Sequence, residues 1–379
     1  MDVYFAHRAT PADQASAGFG VDIQWDTNLT GGFRQQFLTN RAKHPGLNHF
    51  SGCDNPEIGT LIAYNRFDAV VVLGWNLKAY WQAVLAAHRS GVPVLVRGDS
   101  HLGTPRGACR RAMKWPVYRV LFRYFDGCLA VGTRSREYFR HYGVPSHKIF
   151  TVPHSIDTGW FAERAREART RREAIRAEMG FRPDDRIVLF AGKFIREKRI
   201  EDAIDACGML SQRGLAVRML MVGAGELGEA LRDRVREKVV DARFAGFRNQ
   251  SGMPEVYAIS DVLVLPSRSE TWGMVVNEAF ACGLPAVVSD AAGCAPDLIV
   301  EGETGIVYPV GNISALADSI QRMLAAGSDP RVAAALARKT QEYSPARAAD
   351  ALIEAVRSVK ERYSRNSRVT SYESRITML

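Results

Sequence analysis

The feature that most constrains this chain of 379 residues is a repeated alternation of short, almost wholly apolar runs with longer amphipathic stretches. In the first half the runs are Ala69–Gly74 (AVVVLG), Val94–Arg97 (VLVR), Cys128–Gly132 (CLAVG) and Ile149–Pro153 (IFTVP). Helical patterns lie between them near Lys78–Arg89, Cys109–Tyr124 and Ser135–Tyr142. In the second half the runs are Ile187–Ala191 (IVLFA), Arg218–Val222 (RMLMV), Val262–Leu265 (VLVL), Ala286–Ser289 (AVVS) and Gly305–Tyr308 (GIVY). Their helices are expected over Ile200–Arg213, Leu227–Val239, Gly273–Cys282 and Ser314–Ala325. A strand apolar on both faces must be covered on both, which predicts parallel sheets flanked by helices.

The length exceeds one ordinary core, so the expected fold is α/β with two Rossmann-like domains facing a cleft. Residues 1–158 form the first and 159–345 the second, followed by an amphipathic helix over 346–362 and a loose polar tail over 363–379. Phe161–Glu178, rich in Arg, Glu and Ala, reads as a solvated connecting helix. Ligands of such sheets bind beyond the carboxyl ends of the strands, and two units sharing a cleft suit a two-substrate enzyme.

Composition narrows the setting. Hydrophobic residues make up 46% and charged residues 24%, the balance of a globular chain. No apolar run of about 18 residues is present, and the first residues lack the pattern of a secretory signal. The six cysteines are scattered without a metal-binding spacing, so they read as reduced, buried small hydrophobes in a cytoplasmic protein, with no metal expected. The net charge of +9 favours anionic partners such as nucleotides or an acidic membrane face. A nucleic-acid role rests on charge alone, and none is expected.

Gly223–Gly228 spells G-x-G-x-x-G between an apolar strand and a helix, and taken alone it proposes an NAD-dependent oxidoreductase. However, it follows the second strand of its domain rather than the first, and Asp241 falls at a helix end rather than a strand end. A tight turn and close packing of helix on sheet explain the glycines.

Asp261–Val307 carries more chemistry. Its strand ends at Pro266, a polar loop covers Ser267–Trp272, and a helix begins near Gly273, with Glu270 in the loop and Glu278 inside the helix. The amides of Thr271–Met274 thus sit at a helix N-terminus, where unpaired N–H groups and the macrodipole favour phosphate. Carboxylates on either side can accept hydrogen bonds from sugar hydroxyls. Gly192, Lys193 and Lys198 follow the first strand of this domain on the same rim, and two lysines there can neutralise a diphosphate.

This ordered set resembles glycosyltransferase family 4, the retaining glycosyltransferases group 1 of GT-B fold. The carriers are Glu270-TWGMVVN-Glu278 with the following AFACGLP, VPHSID at 152–157 and FAGF at 244–247. The resemblance covers about Val152 to Tyr308 and implies a C-terminal helix that returns to the first domain. It implies that Glu270 contacts the donor sugar near the reacting centre and that Glu278 holds the ribose hydroxyls. Lys193 and Lys198 would bind the diphosphate, Phe247 and Arg248 would border the base, and the backbone of Thr271, Trp272, Gly273 and Met274 would complete the pocket beside Gly192. It also implies a nucleoside-diphosphate sugar as donor, no cofactor, retention of configuration and a glycan or lipid-linked glycan as acceptor. The chain departs from the family pattern at Lys193 (usually Arg), Arg199 (usually Gly) and Asp297 (often Glu), and Lys for Arg forgoes bidentate phosphate geometry.

The first half is less informative. It is expected to lack the first strand and helix of the family, Gly31-Gly32 reading as a plain turn after Trp25–Asn28. That expectation leaves a nucleotide-binding protein with impaired catalysis as an alternative. Val94–Leu102 places Arg97, Asp99 and His101 beyond a strand end, His101 being either a cleft histidine that touches the donor or a surface-loop histidine. Residues 106–123 hold Arg106, Arg110, Arg111, Lys114, Arg119 and Arg123 among Trp115, Tyr118, Leu121 and Phe122, with no acid before Asp126. Such a helix suits peripheral contact with a membrane face; a helix packed on one side and solvated on the other is the favoured reading.

Overall fold

The structure, a computed structural model, describes residues 1–8, 10, 24–28, 30–65, 67–103, 108–327 and 329–376, without the side chains of 108–111 and 365–376. Two parallel sheets dominate it. In the first half, strands β1 (Asp2–Phe5) and β2 (Arg34–Phe37) pair with each other. They precede a separate four-stranded parallel sheet of β3 (Val70–Val72), β4 (Val94–Gly98), β5 (Gly127–Ala130) and β6 (Ile149–Thr151) in that order. Helices α1 (Glu57–Tyr64), α2 (Lys78–Arg89), α3 (Ala108–Leu121) and α4 (Thr133–His141) accompany them.

The second half begins with α5 (Thr158–Thr170) and α6 (Arg172–Glu178), then alternates β7 (Arg186–Ala191), α7 (Ile200–Gln212), β8 (Val217–Val222), α8 (Gly228–Glu237) and β9 (Ala242–Gly246). It continues through α9 (Met253–Ile259), β10 (Val262–Leu265), α10 (Met274–Ala281), β11 (Ala286–Ser289), α11 (Ala295–Leu298), β12 (Gly305–Tyr308), α12 (Ile313–Ala326) and α13 (Pro330–Glu342). Strand order across this sheet is β12-β11-β10-β7-β8-β9, every pair parallel. The chain builds outward from β7 to β9 and then returns to place β10 on the other side of β7. That reversal opens a crevice at the carboxyl ends of β7 and β10.

The apolar runs at the centre of the second sheet became buried strands because both faces are covered. Every residue of VLVL in β10 and AVVS in β11 is buried, and so is IVLFA of β7. Strand β9 (ARFAG) has no such run; it is an edge strand, half-buried along its length, and the sequence pattern missed it.

Two expectations are corrected. Phe161–Glu178 is not a solvated connector. It forms α5 and α6, with Phe161, Ala165, Ala168 and Ile175 buried against Tyr257, Phe280 and Cys282. Its charged residues are used too: Arg176 is buried and donates to the carbonyls of Pro183, Asp185 and Ile259 while pairing with Asp261. The expected tail over 363–379 is instead helical as far as Ile376, the end of a single helix α14 (Pro345–Ile376). No glycine or proline follows Pro345, so nothing in the sequence stops it. As the resemblance implied, this helix returns to the first half, where Ala355 and Val359 pack on Leu95, Leu129 and Val152.

Candidate active site

The loops at the switch point carry the expected groups. Lys193 and Lys198 leave β7, and Glu270 leaves β10. Lys198 donates to the Glu270 carboxylate in an ion pair that is mostly buried. Lys193 is half-buried, and its ammonium is held below the usual lysine range, first by burial and then by the nearby Lys198 charge, with Glu270 opposing. Three residues up to 77 apart in number, from 193 to 270, thus form one cluster of two cations and a carboxylate.

Backbone packing fixes this cluster. Gly223 and Gly225 are not open to a dinucleotide. A methyl on Gly223 would lie 1.8 Å from the Gly192 carbonyl, and one on Gly225 would lie 2.6 Å from the Phe194 carbonyl. Phe194 N donates to Ala224 O at 2.8 Å, and Leu227 N to Phe194 O at 3.0 Å. The glycines of G-x-G-x-x-G therefore clasp the Lys193 loop, a contact of loop with loop rather than helix with sheet. Arg199 closes this loop in the left-handed region at φ 47° and ψ 46°, which accounts for a family preference for glycine there. Its guanidinium grips the buried Asp202 with two hydrogen bonds, of 2.6 and 2.9 Å.

On the other side, Glu270 forms a bridge with Ala292, and Gly293 N donates to Glu270 O at 2.9 Å. A side chain on Gly293 would overlap Thr271 O at 1.9 Å, so only glycine allows the two loops to meet. Gly273, at φ 107°, turns the chain into α10, leaving Thr271 exposed and Met274 half-buried at the helix start. Trp272 is different: its side chain is buried, donates to Asn277 Oδ1 at 2.8 Å and lies between His154 and Tyr343. Its ring is thus a wedge between the halves and is not open to a ligand.

Glu278 sits on α10, where Tyr257 donates to its carboxylate at 2.6 Å. Burial pushes the Glu278 carboxyl up to about 7, and the Tyr257 bond opposes the rise. A carboxyl raised in the folded chain favours folding fully at acidic pH, and that contribution fades as pH climbs from the ordinary range of a glutamate through about 7. A ligand hydroxyl donating to Glu278 bonds more strongly to the ionised form than to the neutral acid. Nucleotide affinity is therefore expected to rise across about pH 7, and Tyr257→Phe should move that rise to higher pH. Titration calorimetry from pH 5.5 to about 8.5 checks it; a flat profile in both proteins would exclude Glu278 from the contact.

Phe247 and Arg248 lie beyond β9, the former half-buried and the latter exposed. Two strand spacings separate β9 from β7, about 10 Å, a distance a nucleoside diphosphate can span. The next residues meet the first half: Asn249 donates to Gln24 O at 2.6 Å, and Thr27 to Gln250 at 2.9 Å. Trp25–Asn28 therefore reaches across the cleft, and the chain bends at Gly32, at φ 84°.

His101 is not a surface histidine. It is 2% exposed beyond β4, and its Nδ1 accepts from Gly103 N at 3.1 Å. Arg97 donates to Pro153 O at 3.1 Å and meets His154 Nδ1 at 3.4 Å; burial and Arg97 together push His154 down to about 4. A contact that the sequence did not reveal joins the halves. Asp297 accepts from Thr133 N and Thr133 Oγ1, capping α4 of the first half from α11 of the second. Gly132 is tight between Trp272 and Asp297, with no room for a methyl.

Two parallel α/β units, a switch-point crevice and a returning C-terminal helix define the GT-B class of architecture. The comparisons with known proteins agree. The family model for glycosyl transferases group 1 matches residues 171–344, and that for the glycosyl transferase 4-like domain matches 32–155. The chain belongs to the group 1 glycosyltransferases, glycosyltransferase family 4.

The chain is 34% identical over 265 residues to a GDP-mannose-dependent alpha-mannosyltransferase of Mycobacterium tuberculosis, covering 68% of this chain and 64% of that one. It is 30% identical to an alpha-D-kanosaminyltransferase of Streptomyces kanamyceticus, covering 56% and 54%. The match thus spans between about half and two thirds of these relatives. Among solved structures, an Anabaena protein, HepE, in complex with UDP superposes with a TM-score of 0.64 at 17% identity, over 89% of this chain and 86% of that one. A glycosyltransferase from Rickettsia africae gives 0.67 at 15% identity, over 86% and 85%.

Proposed function

We propose that this protein transfers a sugar from a nucleoside-diphosphate sugar to a glycan or lipid-linked glycan, with retention of configuration and without a required metal or cofactor. The observation that carries this reading is the Lys193–Lys198–Glu270 cluster at the switch-point crevice. The lysines meet the diphosphate charge as the sugar–phosphate bond breaks, a stabilising role worth most where water is excluded. The new bond forms from the acceptor oxygen on the same face of the sugar, and the acceptor proton passes to the leaving phosphate oxygen. Glu270 faces the sugar as positive charge develops on it. Glu278 receives the ribose hydroxyls, while Phe247 and Arg248 border the base. His101, buried beyond β4, backs the wall of the cleft on the acceptor side near the donor sugar.

The relative named for GDP-mannose and the neighbour in complex with UDP support a nucleotide-sugar donor. The oxidoreductase alternative loses its basis, because backbone fills the space over Gly223 and Gly225. Thermal unfolding against UDP, GDP, ADP and NAD tests the reading. A ligand at about 100 times its dissociation constant adds about 2.7 kcal/mol of stability. One nucleoside diphosphate is expected to raise the midpoint, and Glu278→Ala should abolish the shift. A shift with NAD alone would reject the donor site, and no shift with any of the four would favour an impaired nucleotide site.

A further inference from the structure

We infer that one face of α3 and the turn after it is a seat for an anionic lipid surface. Met113, Val117, Val120 and Tyr124 recur at helical spacing and are exposed by 69%, 59%, 55% and 45%. Spacings of four, three and four residues put them on one side of the helix. The opposite side is occupied: Lys114 lies over the rings of Tyr118 and Tyr138, and Phe122 is buried among Trp75, Phe139 and Tyr142. The reading of one packed and one solvated face therefore holds for half the helix only, since the outward face is an apolar stripe. Burying such a stripe in lipid is favourable in proportion to its area.

Charge selects the occupant. Arg119 and Arg123 are exposed beside the stripe, Arg119 lying 5.1 Å over the half-exposed Trp115 ring. No acidic residue occurs from 106 to 125. Arg106 and the side chains of Arg110 and Arg111 lie outside the described residues. Cations flanking an apolar stripe that ends in a tyrosine complement the headgroup region of an anionic bilayer. Among the described residues no helix is long and apolar enough to cross a membrane, so the contact is peripheral. Leu73 and Leu102, at the carboxyl ends of the adjacent strands β3 and β4, are also exposed, and they sit on the rim that faces the cleft. Only the use of this seat to present a lipid-linked acceptor rests on the function proposed above; the surface itself stands on the helix.

Sedimentation of the full chain with vesicles of phosphatidylcholine, with and without phosphatidylglycerol, tests it. Pelleting is expected only with phosphatidylglycerol and should weaken with salt. Arg119→Gln with Arg123→Gln should lower partitioning on the order of 30-fold, and Met113→Glu with Val117→Glu should remove it. Both double variants should keep the wild-type melting midpoint and nucleotide response, which separates loss of the seat from loss of the fold or the donor site. No pelleting of the wild type, or equal pelleting of all three proteins, would overturn the inference. So would a wild-type dimer that Met113→Glu with Val117→Glu makes monomeric without lipid, since a second copy would then cover the stripe.

Discussion

Glu270→Gln is expected to lower turnover by roughly 10²–10³-fold while the protein binds its nucleoside diphosphate at least as tightly as before. The split follows from the ion pair. Lys198 is engaged by the Glu270 carboxylate, so a bound diphosphate shares that lysine with Glu270. Glutamine is nearly isosteric and leaves the backbone bridge to Ala292 in place, but it releases the full Lys198 charge to the phosphates. On the function proposed above, what it removes is the negative charge facing the sugar as its anomeric carbon becomes cationic. Steady-state kinetics beside nucleotide titration separates the two effects. Near-wild-type turnover would mean that Glu270 is a structural partner of Lys198, and the assignment of this site would fail.

Asp261→Ala is expected to have the largest effect on stability, about 3–5 kcal/mol. Asp261 joins three elements: it pairs with Arg172 at 2.6 Å and with Arg176 at 3.0 Å, and it accepts from Ile187 N at 2.7 Å at the start of β7. Removing it leaves the guanidinium of Arg176 buried without its counter-charge and an amide of the central strand without an acceptor. For a domain of this size the midpoint should fall by roughly 10 °C. Asp261→Asn, which keeps the acceptor but not the charge, should fall between. A loss of only one or two degrees in Asp261→Ala would show that the carbonyls around Arg176 hold it without the carboxylate.

How far the sequence disclosed this molecule depended on the range of each interaction. Strands β7, β10 and β11 were legible because burial on both faces leaves an uninterrupted apolar run. Strand β9 was not, since an edge needs no such run and Arg243 interrupts it. The inner face of α5 rests on Phe161, Ala165 and Ala168, and two alanines do not stand out among arginines and glutamates. The cluster residues were named from their order along the chain, yet the Lys198–Glu270 pair links positions 72 apart. The Asp297 cap of α4 spans 164 residues, and no local pattern announces a helix whose cap comes from another domain. Tyr257 stayed unnoticed for the same reason, its partner Glu278 being 21 residues away on a different helix.

Arg199 has a consequence for how this chain can vary over generations. An L-residue in the left-handed region costs roughly 1 kcal/mol, and here the bidentate grip on Asp202 offsets it. Glycine at 199 would relieve the backbone but strand a buried carboxylate one helical turn away. Loss of Asp202 first would leave the arginine holding an unfavourable conformation for nothing. Neither single step is neutral, so positions 199 and 202 form an epistatic pair. A lineage that has taken arginine at the first is held to an acid at the second.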